Sequence, residues 1–176
     1  MRRNDSGFTL METMVALGIL SFGLLAMGQV MAFGIGMMST AGPDMLARQK
    51  AAEAIESVFT SRDTRTTTWA RIRNEQGLSG TDGGVFNDGE LPLTTAGLDG
   101  LVNTDDDGPV ESILLPGPDG QLGTGDDLAN PLDGFSREIE IRDVDANLRR
   151  IRVTIRYNAG PLRREYVLET LISSFA

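Results

Sequence analysis

The sequence predicts an α+β protein: a long apolar N-terminal helix, an acidic loop-rich stretch, and a small antiparallel sheet. Three observations carry this expectation. After Glu12 no formal charge occurs until Asp44, a run of 31 residues. Between Arg73 and Arg137 there is no lysine or arginine but there are 13 acids. From Ile139 onward apolar and charged residues alternate with period two, as half-buried strands do. The expected organisation is a leader at 1–7, a helix at 8–60 with its most apolar part at 8–40, a variable acidic region at 61–134, and antiparallel strands at 135–176.

The first element is long enough to cross a hydrocarbon layer, which takes about 20 apolar residues as helix. Gly18, Gly23, Gly28, Gly34 and Gly36 punctuate it, and small residues let helices approach closely in lipid or in a packed assembly. Seven of the eight methionines lie between Met11 and Met45, where flexible thioethers tolerate irregular packing. Gly42-Pro43 is expected to interrupt or kink the helix, because proline lacks an amide donor and crowds the preceding turn. Beyond it Ala47, Ala51, Ile55 and Val58 recur at spacings of three and four, with Arg48, Lys50, Glu53 and Glu56 on other faces. That pattern is an amphipathic continuation.

The leader is unusual. A secretory signal places its small-residue cleavage site after the apolar region, whereas here Gly7 precedes it. Gly7-Phe8-Thr9-Leu10-Met11-Glu12, with Arg2 and Arg3 before and Met14-Val15-Ala16-Leu17-Gly18-Ile19-Leu20 after, resembles the prepilin leader of type IV pilins and type II secretion pseudopilins. The resemblance implies a pilin-like fold, with the second half of the helix packed on a sheet. It implies cleavage between Gly7 and Phe8 by prepilin peptidase, N-methylation of Phe8, and a role for Glu12 in assembly. The stretch Ala51-Ala52-Glu53-Ala54-Ile55-Glu56 also looks like the region after the span in V-type minor pilins and I-type minor pseudopilins. An acid at position 12 has an independent rationale. A carboxylate among lipid tails costs roughly 2.5 to 3.5 kcal/mol and calls for a partner, which the new amino terminus of a neighbouring subunit would supply. The plainer reading of Glu12 is a favourable acid near the helix N-terminus of a signal anchor.

Composition narrows the chemistry. Cysteine and histidine are absent, and Lys50 is the only lysine. The usual Ser-His and Cys-His nucleophile pairs and most zinc sites are therefore excluded. The sequence also lacks a G-x-x-x-x-G-K-[ST] phosphate loop. No enzyme is expected, although a hydrolase built on a carboxylate dyad stays open as an alternative. The net charge of −9 arises in one place: outside residues 74–136 the chain carries 16 basic and 12 acidic residues.

At the C-terminal end Ile139 and Ile141 alternate with Glu138, Glu140 and Arg142. Ile151, Val153, Ile155 and Tyr157 alternate with Arg150, Arg152, Thr154 and Arg156. After the turn Asn158-Ala159-Gly160-Pro161, a third strand from about Arg164 to Ser173 puts Tyr166, Leu168 and Ile172 on one face and Glu165 and Glu169 on the other. A meander with the arginine-rich strand in the middle sets arginines opposite glutamates on both flanks, each pair being worth about 0.2 to 1 kcal/mol. Eight arginines from Arg137 to Arg164 could instead form a nucleic-acid patch. The alternating acids neutralise much of that face, so nucleic acid is not the expected partner.

The acidic region holds a candidate metal site. Asn103-Thr104-Asp105-Asp106-Asp107-Gly108 with Glu111 resembles the first half of an EF-hand-type loop, but position twelve is Leu114 instead of glutamate. Asp119, Asp126 and Asp127 in a glycine-rich stretch are a second source of carboxylates. The candidate ligands are Asn103, Asp105, Asp107, Glu111, Asp119, Asp126 and Asp127, and the ion is structural Ca2+. Major pseudopilins carry a structural calcium in a corresponding loop, so the resemblance points the same way. The opposing reading is a solvated acidic loop without an ion.

The expected function is a nonenzymatic minor pilin or pseudopilin of a type IV pilus or type II secretion pseudopilus. Its expected location is the inner membrane as a single-pass protein, with the C-terminal domain periplasmic or extracellular, and then a filament. Expected partners are other pilin or pseudopilin subunits, prepilin peptidase and an inner-membrane assembly platform. The alternative is a single-span membrane-anchored extracytoplasmic protein that binds calcium or serves in adhesion.

Overall fold

A computed structural model describes residues 7–160 and 162–175, apart from the side chains of Met38 and Ser39. Helix α1 (Leu10–Asp63) is followed by a single 3-10 turn (Trp69–Arg71). Six strands come next: β1 (Leu91–Pro92), β2 (Ser112–Leu115), β3 (Leu128–Pro131), β4 (Phe135–Asp145), β5 (Leu148–Ala159) and β6 (Leu162–Ser173). One long N-terminal helix and an antiparallel sheet make the pilin-like α+β arrangement expected. The chain divides into two units, one up to Ala41 and one from Gly42 onward.

In the first unit, α1 is long and apolar enough to cross a membrane, and none of its most apolar stretch is buried. Of the two outcomes expected at Gly42-Pro43, a break is absent: Pro43 lies inside α1 and the residues on both sides are helical. A single proline removes only one donor from the ladder. The residue after it, Asp44, is tied down in the second unit, accepting from Tyr157 Oη at 2.9 Å and pairing with Arg164 at 3.2 Å.

The second unit has one core. From α1 it takes Ala47, Ala51, Ala54, Val58 and Ser61, a stripe at spacings of four and three. Ile55, placed on that stripe by the sequence reading, is half-buried, and Ala54 takes the central position. The main sheet has the order β1-β4-β5-β6, all antiparallel. Ile139, Ile141, Ile151, Val153, Ile155, Tyr157 and Ile172 face the core. Phe135 and Tyr157 stack with ring centroids 5.6 Å apart.

The arginine-rich β5 lies between β4 and β6, with Arg152 opposite both Glu140 and Glu169. Arg156 meets Glu138 at 2.9 Å, Glu90 at 3.3 Å and Glu165 at 3.8 Å. Arg137 and Arg149 depart from this outward pattern, because they sit on the core face in phase with the isoleucines and are buried. Arg149 lies over the Trp69 ring at 4.1 Å and donates to Asp143 at 2.7 Å.

The acidic region is more ordered than a run of loops. It contains β1, paired with β4, and the two-stranded β2–β3 sheet. Buried Asn74 continues the β4 edge: its Nδ2 donates to the Ile139 carbonyl and its Oδ1 accepts the Ile141 amide, both at 2.7 Å.

Candidate functional site

The candidate residues lie in two places, the start of the helix and the acidic region. Gly7 and Phe8 precede α1 in irregular, exposed backbone, and Phe8 is 86% exposed. Arg2 and Arg3 lie outside the described residues. Thr9 caps the helix: its Oγ1 accepts the Glu12 amide at 3.3 Å, while Glu12 Oε2 accepts the Thr9 amide at 3.0 Å and the Thr9 hydroxyl at 2.9 Å. This reciprocal pair is a capping box, which satisfies amides that the first helical turn leaves without partners. The cap is legible in the sequence as the spacing T-x-x-E. The carboxylate of Glu12 is thus aimed back at the chain start, one residue from the Gly7–Phe8 bond, and stays exposed.

In the acidic region the candidate ligands part company. Glu111 is engaged by Lys50 at 2.5 Å and approached by buried Arg137 at 3.7 Å. Asn103 is buried and accepts from Arg137 Nε at 2.6 Å while donating to the Arg137 carbonyl at 3.1 Å. Burial pulls the Arg137 guanidinium below its usual value, against the opposing pull of Glu111, Asp107 and Glu53. Asp107 accepts the amides of Asn103 and Thr104 and the hydroxyls of Thr94 and Thr104. Asp105 is exposed. Asp119, Asp126 and Asp127 lie in a separate loop between β2 and β3. Among the described residues, no three His, Cys, Asp or Glu side chains gather so as to hold a metal ion.

The two loops are copies of each other. Gly97, Asp99, Gly100, Thr104, Asp106 and Asp107 recur twenty residues later as Gly117, Asp119, Gly120, Thr124, Asp126 and Asp127. Their hydrogen bonds recur with them. Asp106 Oδ2 accepts the Asp99 amide at 3.2 Å, and Asp126 Oδ2 accepts the Asp119 amide at 3.3 Å. Asp99 Oδ1 accepts the Leu101 amide and Asp119 Oδ1 the Gln121 amide, both at 2.8 Å. The hydroxyls of Thr104 and Thr124 donate to Asp106 at 2.9 Å and to Asp126 at 2.6 Å. Those hydroxyls are the largest influence holding both carboxyls below the ordinary aspartate range. A Cβ at Gly97 or Gly117 would run into Asp106 or Asp126, which explains the glycine at the mouth of each loop. Asn103 and Gly123 share a left-handed backbone, φ 62° and 87°.

The copies differ in what surrounds them. The first is locked to the sheet through Asn103 and Arg137, and its Val102 is buried at 8% exposure. The second has glycine in place of Asn103, and Leu122, the counterpart of Val102, is 64% exposed. Asp127 Oδ1 is buried with no hydrogen-bond partner, whereas the corresponding Asp107 Oδ1 accepts from Thr104. This twenty-residue repeat is readable in the sequence, yet the EF-hand-type reading obscured it by spanning the boundary between one copy and the next.

Comparison with known proteins bears on the first of these places. The family model described as the prokaryotic N-terminal methylation motif matches residues 2–28. That match supports a type IV pilin-like or pseudopilin assignment, with an N-terminal helix suited to membrane anchoring and to assembly with other pilin subunits. Neither the curated proteins nor the solved structures contain a match to this chain.

Proposed function

We propose that the chain is the precursor of a minor pilin or pseudopilin, a nonenzymatic subunit of a type IV pilus or type II secretion pseudopilus. Prepilin peptidase cuts between Gly7 and Phe8, Phe8 is N-methylated, and an inner-membrane assembly platform moves the helix from the bilayer into a filament. The C-terminal domain then lies on the periplasmic or extracellular side. The observation that carries this reading is the order of features within six residues: an exposed Gly7–Phe8 bond, a Thr9–Glu12 capping box, and an uncharged helix beyond. The capping box holds the Glu12 carboxylate beside the future N-terminus, where a neighbouring subunit's amino group offers the counter-charge that lipid cannot.

Mass spectrometry of the protein recovered from membranes tests it. The expected N-terminal peptide starts with methylated Phe8. A peptide retaining Met1-Arg2-Arg3 overturns the reading in favour of a single-span anchored protein.

Structural calcium belongs to the same proposal, centred on the second loop. Asp127 Oδ1 supports the fit, since a buried carboxylate oxygen without a donor suits a hard cation. Asn103, Asp107 and Glu111 have protein partners, and Asp119 and Asp126 accept hydrogen bonds within their own loop. Asp127 Oδ1 is therefore the ligand this loop offers, and backbone carbonyls and water would complete the shell. Calcium is expected to raise the melting temperature and a chelator to reverse it; an unchanged melt removes calcium from the proposal.

A further inference from the structure

The twin loops supply an internal comparison. Each forms the tip of a hairpin. The first is bounded by the Thr94–Val110 bridge and the second by β2 and β3, where Leu115 pairs with Leu128. The first tip rests on its own sheet by two contacts of different chemistry: Val102 is buried in the core, and Asn103 meets the Arg137 guanidinium at 2.6 Å, with Asp107 adding charge attraction. The second tip repeats the Asp99, Asp106 and Asp107 positions as Asp119, Asp126 and Asp127, with glycine in place of Asp105. Its Leu122 is 64% exposed, and the cross-strand partners Leu115 and Leu128, which share one face of the hairpin, are 43% and 62% exposed. Residues 112–131 carry Asp119, Asp126 and Asp127 and no basic residue. A surface that takes this tip must therefore offer an arginine beside an apolar side chain.

The outer face of the main sheet has such a corner. Arg150 on β5 lies opposite Leu171 on β6, with Arg142 on its other side. Leu171 is 53% exposed. The neighbouring outward arginines are committed, Arg152 to Glu169 at 3.0 Å and Arg156 to Glu138 at 2.9 Å. Arg150 reaches Glu169 only at 3.9 Å.

We propose that the β2–β3 hairpin docks on the Arg150–Leu171 corner of a second copy of this chain, placing Leu122 against Leu171 and the Asp126–Asp127 tip against Arg150. The two patches are different surfaces, so the contact is heterologous and repeats from copy to copy. It repeats between molecules what the first hairpin does within one. It goes beyond the pilin reading and does not require cleavage after Gly7.

The native chain has no cysteine, which makes the test direct. Full-length chain carrying Leu122→Cys and Leu171→Cys is treated in its membrane with a short bismaleimide. The expected result is a ladder of covalent multimers, at least fivefold above the yield from Leu98→Cys with Leu171→Cys, in which the thiol sits on the exposed first loop. Arg150→Glu added to the first pair is expected to cut the ladder at least fivefold. All four positions are exposed, and a melting curve on each variant checks its fold. A yield no greater than that of the Leu98 pair overturns the proposal, as does a ladder indifferent to Arg150→Glu. Because the ladder is read on cleaved and uncleaved chain alike, its failure is distinct from a failure of processing.

Discussion

Asn103 and Arg137 hold each other twice, Arg137 Nε donating to Asn103 Oδ1 at 2.6 Å and Asn103 Nδ2 donating to the Arg137 carbonyl at 3.1 Å. Arg137 also donates to the Thr94 carbonyl at 3.0 Å, so one buried side chain fastens the first acidic loop to the sheet. Asn103→Ala leaves a buried guanidinium short of an acceptor and is expected to destabilise the domain by about 2–3 kcal/mol. Urea unfolding of the full chain in detergent checks this. A loss below about 0.5 kcal/mol, the scale of an ordinary surface change, would show that the lock does not bear on stability.

The two faces of β5 should respond differently. Ile151 is fully buried, and Ile151→Ala is expected to cost about 3 kcal/mol from lost transfer energy and a cavity. Arg152 is 48% exposed and paired with Glu169. Arg152→Ala should change stability by less than about 1 kcal/mol, because solvent screens exposed pairs. Equal losses in paired urea titrations would contradict the assignment of faces.

The start of the helix depends on Thr9. Thr9→Val keeps the shape of the side chain but removes the hydroxyl that accepts the Glu12 amide and donates to its carboxylate. It should weaken the first turn by about 1 kcal/mol, as loss of an N-cap does. Amide exchange at Met11 and Glu12 in micelles is expected to speed up several-fold, while residues beyond Leu20 stay unchanged.

Acid should open the twin loops together. Asp106 and Asp126 are held below the ordinary value of 3.8, first by the hydroxyls of Thr104 and Thr124. A carboxyl depressed in the folded state contributes stability that is full above the unfolded value and is lost as pH falls through the folded one. The Asp99 and Asp119 amides, which these carboxylates accept, should keep their shifts at pH 5 and lose them only below 3.8. Thr104→Val and Thr124→Val should each raise the transition of its own loop. NMR titration would contradict this if both loops opened well above the ordinary value.

The alternation of β4 and β5 makes the core face legible, and it carries a second signal. Arg137 shares the phase of Ile139 and Ile141, and Arg149 that of Ile151 and Val153. Period alone therefore places both arginines inside. Composition argues for the outside, because a charge is costly to bury unless paired, and only the positions of Asn103, Asp143 and Trp69 resolve the conflict. Asn74 was illegible for the same reason: its partners are backbone groups of β4, some 65 residues away.

By itself the amino-acid sequence determined the long uncharged helix, the Gly7-Phe8 pair before it, the period-two strands and the twenty-residue repeat. All of these are local patterns of spacing, and local spacing dictates which side chains share a face. The tertiary structure alone decided that α1 continues through Pro43 and that Glu111 serves Lys50. It also decided that one copy of a repeated loop is sealed against the sheet while the other stands open. Those outcomes depend on which distant groups arrive within hydrogen-bonding distance, and that follows only from packing the whole chain.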